Sequence, residues 1–91
     1  MPVRTVTRKF YHDPGHGWLA VKVDELKELG ITKKISVYSY QKGCTVYLEE
    51  DADMMEYIRA QQRKGVEVNV TEIRHKIRSS IRSYAQYKRP E

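Results

Sequence analysis

Residues 45–70, TVYLEEDADMMEYIRAQQRKGVEVNV, place a helical pattern between two β-rich runs. The run 45–49 is rich in branched and aromatic residues, and apolar and polar residues alternate over 66–70, so both runs predict strands. Gly65 stands just before the second run, and glycine commonly ends a helix. The stretch therefore predicts a strand–helix–strand unit.

The helix of this unit is expected to begin at an acidic cap and to end at about Lys64. Asp51 or Asp53 is the predicted N-cap, because a carboxylate accepts hydrogen bonds from the free amides of the first turn. The side chains expected on the inner side of the helix are those of Met54, Met55, Ile58 and Gln62.

A hairpin is predicted immediately upstream. The β-rich run 35–40 precedes the strand 45–49, and the residues between them include Gly43. Glycine suits the left-handed position of a hairpin turn of three to five residues. The sequence therefore predicts two antiparallel strands at this point.

A short helix is predicted before that hairpin. Asp24 is a suitable N-cap, and Gly30 is placed to end the helix. Ile31 follows the glycine and is expected to pack on Leu26, an apolar contact that accompanies a glycine C-cap.

The first 22 residues predict a second hairpin. A β-rich strand is expected over about residues 3–11, and Trp18–Val21 is a short apolar strand. The segment between them contains Pro14, which lacks an amide donor, and two glycines that permit positive φ. Residues 12–17 are therefore predicted to form a turn or a short loop.

Beyond residue 72 two interpretations remain open. In the first, one helix carries apolar residues on one face, with arginines beside them: Ile73, Ile77, Ile81 and Tyr84, with Arg74, Arg78 and Arg82. In the second, the strand continues to about His75, and Ser79 or Ser80 caps a shorter helix toward Tyr87. Either way, the element order is β-β-α-β-β-α-β plus a basic C-terminal segment. We expect one α+β domain over residues 1–91 with a mainly antiparallel sheet.

The composition favours a binding protein. A chain of 91 residues leaves little room for both a scaffold and an enclosed active site. Its one cysteine, Cys44, excludes an internal disulfide, which fits a reducing compartment. The N-terminal sequence has no apolar core of signal-peptide length, and no run approaches a membrane span. A cytosolic protein without a membrane association is therefore expected.

The net charge of +5 is unevenly distributed along the chain. Residues 1–22 carry four basic groups and one acid, residues 23–56 carry four and eight, and residues 57–91 carry nine and three. Such segregation predicts a basic surface that meets phosphate or an acidic protein. The alternative is that the blocks neutralise each other across the fold.

YHDPGHGW, residues 11–18, is the first candidate site. Imidazole and carboxylate groups are suitable metal ligands or acid–base pairs, so His12, Asp13 and His16 suggest a small metal-dependent hydrolase or nuclease. A third convergent ligand is missing, however, and we expect neither metal nor other cofactor nor enzymatic activity.

Two other interpretations of this loop remain. It is either a turn with a purely structural role or a surface that contacts a partner. Asp13 is expected to accept the amide two residues further on and to close an Asx turn. Loops with aromatic, histidine and glycine residues also favour contact with partners. The residues proposed for such a contact are Tyr11, His12, His16 and Trp18.

The second candidate site is the basic constellation toward the C-terminus. Arginine forks bind phosphate oxygens without reading base sequence, and tyrosine rings stack on unpaired bases. The residues predicted to bind a partner or nucleic acid here are Arg74, Lys76, Arg78, Arg82 and Tyr84. A solvated basic face or docking on an acidic protein would give the same pattern.

Four strings carry a resemblance to a family: HDPGHGWLAV (12–21), ISVYSYQKG (35–43), TVYLEED (45–51) and RSSIRSY (78–84). In this order and spacing they resemble a set of small bacteriophage and prophage proteins without assigned activity. The resemblance implies a phage accessory protein that works in the cytoplasm of a bacterial host. It also favours the strand and shorter helix beyond residue 72. Members of this set carry a polar or acidic residue where this chain has Cys44, so the resemblance does not favour a reactive cysteine.

Two binding functions are expected from these observations. The first is a stoichiometric modulator or inhibitor of a host nucleic-acid-processing or defence complex, which would be a protein or a ribonucleoprotein. The second is direct, sequence-tolerant binding of DNA or RNA. A small hydrolase or nuclease built on His12, Asp13 and His16 is a third, enzymatic hypothesis.

Overall fold

The computed structural model describes residues 4–76 and 79–90. The strands are β1 (Arg4–His12), β2 (Gly17–Lys22), β3 (Tyr40–Lys42), β4 (Thr45–Glu49), β5 (Val66–Arg74) and β6 (Ala85–Gln86). The helices are α1 (Val23–Glu28) and α2 (Asp53–Arg63), and short 3-10 turns span Thr32–Lys34 and Ser80–Ser83.

The six strands form one mixed sheet in the order β5-β1-β2-β4-β3-β6. β1 and β5 are parallel, and the pairs β1–β2, β2–β4, β4–β3 and β3–β6 are antiparallel. The predicted α+β class with a mainly antiparallel sheet is therefore confirmed for the described residues. From β2 to β5 the chain follows the split β-α-β-β-α-β arrangement, and β1 is inserted between β5 and β2.

Both helices pack on the same face of the sheet. Alternate residues of β2 and β4 point toward them, because successive side chains of a strand face opposite sides. The buried core contains Leu19, Val21, Leu26, Ile31, Ile35, Val46, Leu48, Tyr57, Ala60 and Tyr87. The other face of the sheet, which we call the open face, carries no α-helix among the described residues, but the β5–β6 connection lies against it through Arg82 over Trp18 and Tyr84 beside Tyr47.

The glycine at the end of α1 behaves as predicted. Gly30 has φ of 70°, and the amide of Ile31 donates to the carbonyl of Leu26 at 3.0 Å. Gly43 in the β3–β4 turn and Gly65 after α2 also have positive φ, of 60° and 76°. Glycine is favoured at these three positions, because the left-handed backbone conformation is strained for a residue with a Cβ.

The N-caps predicted for α1 and α2 are both wrong. α1 begins two residues earlier than expected, with Lys22 at the N-cap and the Glu25 carboxylate accepting the Lys22 amide at 2.9 Å. α2 has Ala52 at the N-cap. The carboxylate of Glu49 reaches forward from β4 and accepts the amides of Asp51, Ala52 and Asp53. A residue outside the helix therefore supplies the acceptors that the prediction assigned to Asp51 or Asp53.

The inner side of α2 was predicted only in part. Met54 and Ile58 pack against the core, as expected. Met55 and Gln62 are exposed. The largest buried side chain of the helix is that of Tyr57, which the prediction missed. Because its hydroxyl bonds to Glu25 at 2.7 Å, this tyrosine is buried with its polar atom satisfied.

The chain beyond residue 72 follows the second interpretation. β5 continues to Arg74, and the Ser79 hydroxyl accepts the amide of Ile81 at 3.2 Å. The capped turn is a 3-10 helix that ends at Ser83 and not a longer helix toward Tyr87. The chain then adds β6 to the edge of the sheet, beside β3.

In the described part of the chain, no helix combines the length and apolar character needed to cross a membrane.

Candidate functional site

The loop between β1 and β2 is organised by Asp13. Its carboxylate accepts the amides of Gly15 and His16 at 3.0 Å each, which confirms the predicted Asx turn. It also accepts the amide of Ser79 at 2.9 Å and two N–H groups of Arg82 at 2.8 Å. Asp13 therefore holds the β5–β6 connection against the loop.

These contacts set the charge state of Asp13. The guanidinium of Arg82 holds the pKa of the Asp13 carboxyl well below its ordinary value, burial opposes this, and the amides of Ser79, Gly15 and His16 add to the lowering. The side chain is completely buried and ionised at neutral pH. A carboxylate so fully bonded acts as a structural anchor.

Arg82, which the sequence suggests as a phosphate ligand, is paired with Asp13 in the structure. Its charge is compensated by Asp13, which is 69 residues away in the sequence. Its guanidinium also lies over the ring of Trp18, with 5.7 Å between its central carbon and the ring centroid. The compensation was invisible in the sequence because the two residues meet only in the fold.

The two histidines of the loop lie apart. His12 stacks on Phe10 on the helix-covered side of β1, with 5.7 Å between ring centroids. His16 is exposed and tilts against Trp18 at 6.0 Å. Nowhere in residues 4–76 and 79–90 do three histidine, cysteine or acidic side chains form a group suited to a metal ion.

The open face carries a continuous row of aromatic rings. Tyr11 lies 6.1 Å from His75 in a stacked arrangement and 6.0 Å from Tyr47, measured between ring centroids. Tyr47 in turn lies 5.3 Å from Tyr84. We call these four residues the aromatic row. Each ring is half-buried, so part of each surface remains accessible.

Lysines accompany the row on the same face. The ammonium of Lys42 lies 4.9 Å above the ring of Tyr84. Lys9 is exposed two residues before Tyr11 on β1, and strand alternation places both on the open face. Burial raises the pKa of the Tyr47 hydroxyl, as do the neighbouring Tyr84 and Tyr11, so the ring remains neutral at physiological pH.

A groove, which we call the side groove, lies where the loop between β1 and β2 meets the β3 side of the sheet. It has a volume of ≈ 490 Å³. Trp18 is only 2% exposed, whereas Tyr38 at the rim is 76% exposed. The residues that line the groove include His16, Trp18, Tyr38, Tyr40, Glu49 and Arg82.

The residues predicted for binding therefore divide between several places. Tyr11 and Tyr84 belong to the aromatic row, whereas His16, Trp18 and Arg82 line the side groove. His12 faces the other side of β1. Arg74 and Lys76 are exposed at and after the end of β5, and Arg78 lies outside the described residues.

Several residues of the open face were missed by sequence reasoning, above all Tyr47 and the two lysines. A usable signal was present for Tyr47. Val46 and Leu48 are apolar and alternate with it, so the strand 45–49 already predicts that Tyr47 points away from the core. No comparable signal exists for His75, because its contact with Tyr11 depends on the parallel pairing of β1 with β5.

No match to this chain was found in comparisons with models of protein families, with curated proteins or with solved structures.

Proposed function

We propose that the protein binds single-stranded nucleic acid across the open face of its sheet. The observation that carries the proposal is the aromatic row, in which four rings follow one another at centroid distances of 5.3 to 6.1 Å. Aromatic rings on an exposed sheet surface stack on unpaired bases without requiring a particular sequence.

The charges of the open face support this function. Lys9 and Lys42 provide ammonium groups on either side of the tyrosines, and such groups attract phosphates through a salt-dependent interaction. Because Tyr47 remains neutral, the centre of the row adds no negative charge that would repel the strand.

The connectivity offers an analogy. RNA-recognition motifs use the open face of a four-stranded sheet, whose aromatic residues stack two or three bases. Here Tyr11 and Tyr47 occupy strands in the interior of the sheet, with a helix-covered core behind them. We expect a footprint of similar length, and binding in the cytoplasm of a bacterial host by a phage accessory protein.

The stacking contribution is tested with Tyr47→Leu, which removes the ring polarity and planarity but keeps an apolar side chain. Fluorescence anisotropy with an end-labelled single strand of eight thymidines is expected to show a Kd at least about 5-fold higher than that of the wild type. The matched control is Tyr38→Leu, since Tyr38 is the most exposed large hydrophobic residue in the described part of the chain and lies outside the row. Equal affinities of the wild type and Tyr47→Leu would contradict the proposal.

The phosphate contribution is tested with the double variant Lys9→Gln, Lys42→Gln. Its slope of log Kd against log salt concentration is expected to be smaller by about 1.4, at roughly 0.7 per contact on a single strand. The control is Lys27→Gln, Lys33→Gln, which makes the same change of charge at exposed positions on α1 and the following turn. An identical loss of slope in both variants would mean that only overall charge matters.

A second candidate function is the stoichiometric modulation of a host nucleic-acid-processing or defence complex. The observation that favours it is the pair of exposed residues Val37 and Tyr38, 57% and 76% exposed, of which Tyr38 lines the side groove. Pull-down from host lysate with and without nuclease separates the two candidates. A partner that remains after nuclease treatment and is lost in Tyr38→Ala would favour this second function over the first.

A further inference from the structure

A cleft opens in the sheet where β1 and β2 diverge. The two strands pair only at residues 10–12 and 17–19. The earlier residues of β1 pair with β5, and the later residues of β2 pair with β4. The space between them has a volume of ≈ 520 Å³, within the range of about 300–1,000 Å³ typical of ligand pockets.

The walls of this cleft combine two rings of the aromatic row with a pair of charged side chains. Tyr11 and Tyr47 line it together with the small side chain of Ala20. Arg8 and Glu25 line the same space, and their side chains are only 27% and 16% exposed. A flat, partly polar ligand would therefore meet rings, a small residue and a fixed cation.

Glu25 holds Arg8 in one orientation. Nε and Nη2 of Arg8 donate to the Glu25 carboxylate at 3.0 and 2.6 Å. The Tyr57 hydroxyl, which in turn accepts from Gln61, also donates to that carboxylate. Burial opposes the ionisation of Glu25, yet the Arg8 guanidinium, the Lys22 amide and the Tyr57 hydroxyl together lower its pKa. The pair is therefore ionised at neutral pH.

Arg8 retains binding capacity after these contacts. Its Nη1 donates to the carbonyl of Thr7 at 2.8 Å, so three of the five N–H groups of the guanidinium have partners in the described residues. One N–H remains on each of Nη1 and Nη2. Two such donors match a pair of neighbouring acceptors, and in nucleobases the guanine O6 and N7 form such a pair.

We propose that this cleft is a base-binding subsite that receives one guanine of the bound strand. The guanine stacks against Tyr11 or Tyr47, and its O6 and N7 accept the two remaining N–H groups of Arg8. Adenine presents an amino donor in place of O6, and thymine lacks N7, so neither supplies the acceptor pair. The inference rests on the proposed function and adds a base preference to it.

The experiment uses the wild-type protein and four labelled single strands. Each has eight nucleotides, seven of them thymidine, with guanine, inosine, 7-deazaguanine or adenine at one central position. Inosine keeps O6 and N7, whereas 7-deazaguanine lacks the N7 acceptor. We expect the guanine and inosine strands to bind about 10-fold more tightly than the adenine strand, and the 7-deazaguanine strand to lose most of this gain.

The outcomes separate this inference from the function on which it rests. Equal binding of all four strands would overturn the guanine subsite but leave single-strand binding intact. If none of the strands binds, both are wrong. Arg8→Lys, checked for folding by thermal unfolding, is expected to abolish the guanine preference while it retains most of the affinity for the adenine strand. A preference that persists in this variant would also overturn the subsite.

Discussion

Gly17 lies where a side chain would collide with Phe10. A Cβ at this position would stand 2.3 Å from Cζ of Phe10 and 3.0 Å from Oε2 of Glu50. Its φ is not positive, and neither is that of Gly15, so neither glycine uses the positive φ that the sequence permits there. At Gly15 the added Cβ would meet the Arg82 guanidinium at 2.7 Å. Close packing explains both glycines.

Gly17→Ala is expected to destabilise the fold by about 1 to 3 kcal/mol, because the methyl group overpacks the contact with the Phe10 ring. The steric cause predicts coupling to that ring. In a double-mutant cycle measured by urea unfolding, Phe10→Leu should relieve part of the cost of Gly17→Ala.

Gly43→Ala is the control for this cycle. Gly43 has φ of 60° and open space around it, so its cost of about 1 kcal/mol arises from the backbone. Its effect should add to that of Phe10→Leu without coupling. If the effects of Gly17→Ala and Phe10→Leu on the free energy of unfolding are also strictly additive, the contact with Phe10 does not cause the cost of Gly17→Ala.

At the scale of elements, the predicted strand 35–40 shows how a tertiary contact overrides a local pattern. The side chain of Asp53, only 1% exposed, accepts the amide and hydroxyl of Ser36 at 2.9 and 2.7 Å, and the hydroxyl of Ser39 at 2.6 Å. These bonds fold residues 36–39 into a turn, so β3 begins only at Tyr40. The β-rich composition of residues 35–40 correctly indicates that Ile35 is buried, but it does not correspond to a strand over residues 35–39.

The β5–β6 connection is likewise held by a buried carboxylate, that of Asp13, which accepts hydrogen bonds from Ser79 and Arg82. Asp13→Asn is expected to destabilise the protein by about 1 to 3 kcal/mol at neutral pH, because it weakens charged hydrogen bonds to a buried acceptor. The measurement is urea unfolding at a series of pH values.

The pH dependence of this effect follows from the direction of the pKa shift. The pKa of Asp13 is lower in the folded protein than in the unfolded chain, so its contribution is complete above about pH 4 and is lost as the pH falls below that value. The stability difference between the wild type and Asp13→Asn should therefore shrink in acid. A difference that stays constant from pH 6 to pH 2.5 would show that the Asp13 charge does not stabilise the connection.

For the molecule as a whole, local patterns were sufficient to predict most elements and the fold class. The alternation of apolar and polar residues in 66–70 correctly predicts a strand. Gly30 and Gly65 correctly mark the ends of the two helices, and Gly43 correctly marks the hairpin turn. The candidate site was less predictable, because its residues come from strands that are distant in the sequence. Tyr11 and Tyr84 were identified separately, but the contact of each with Tyr47 depends on the order of the strands.

The order of the strands also predicts the sequence of folding events. Closing a long loop costs more chain entropy than closing a short one, so the β3–β4 hairpin should form before β1 pairs with β5. Leu48→Ala in β4 should slow folding, with a φ-value above about 0.5, whereas Val68→Ala in β5 should mainly accelerate unfolding, with a φ-value below about 0.3. Stopped-flow kinetics in urea measure both values. A φ-value for Val68 above that for Leu48 would reverse the proposed sequence of events.

The position of β1 inside the sheet has a consequence during protein synthesis. Arg4 of β1 pairs with Val66, which the ribosome adds 62 residues later. At a synthesis rate of about 5 to 20 residues per second, one edge of β1 stays unpaired for roughly 3 to 12 s. An open strand edge is a template for pairing with another nascent chain. We expect the positive charges of Arg4 and Lys9 to repel a second copy of the same strand until β5 arrives.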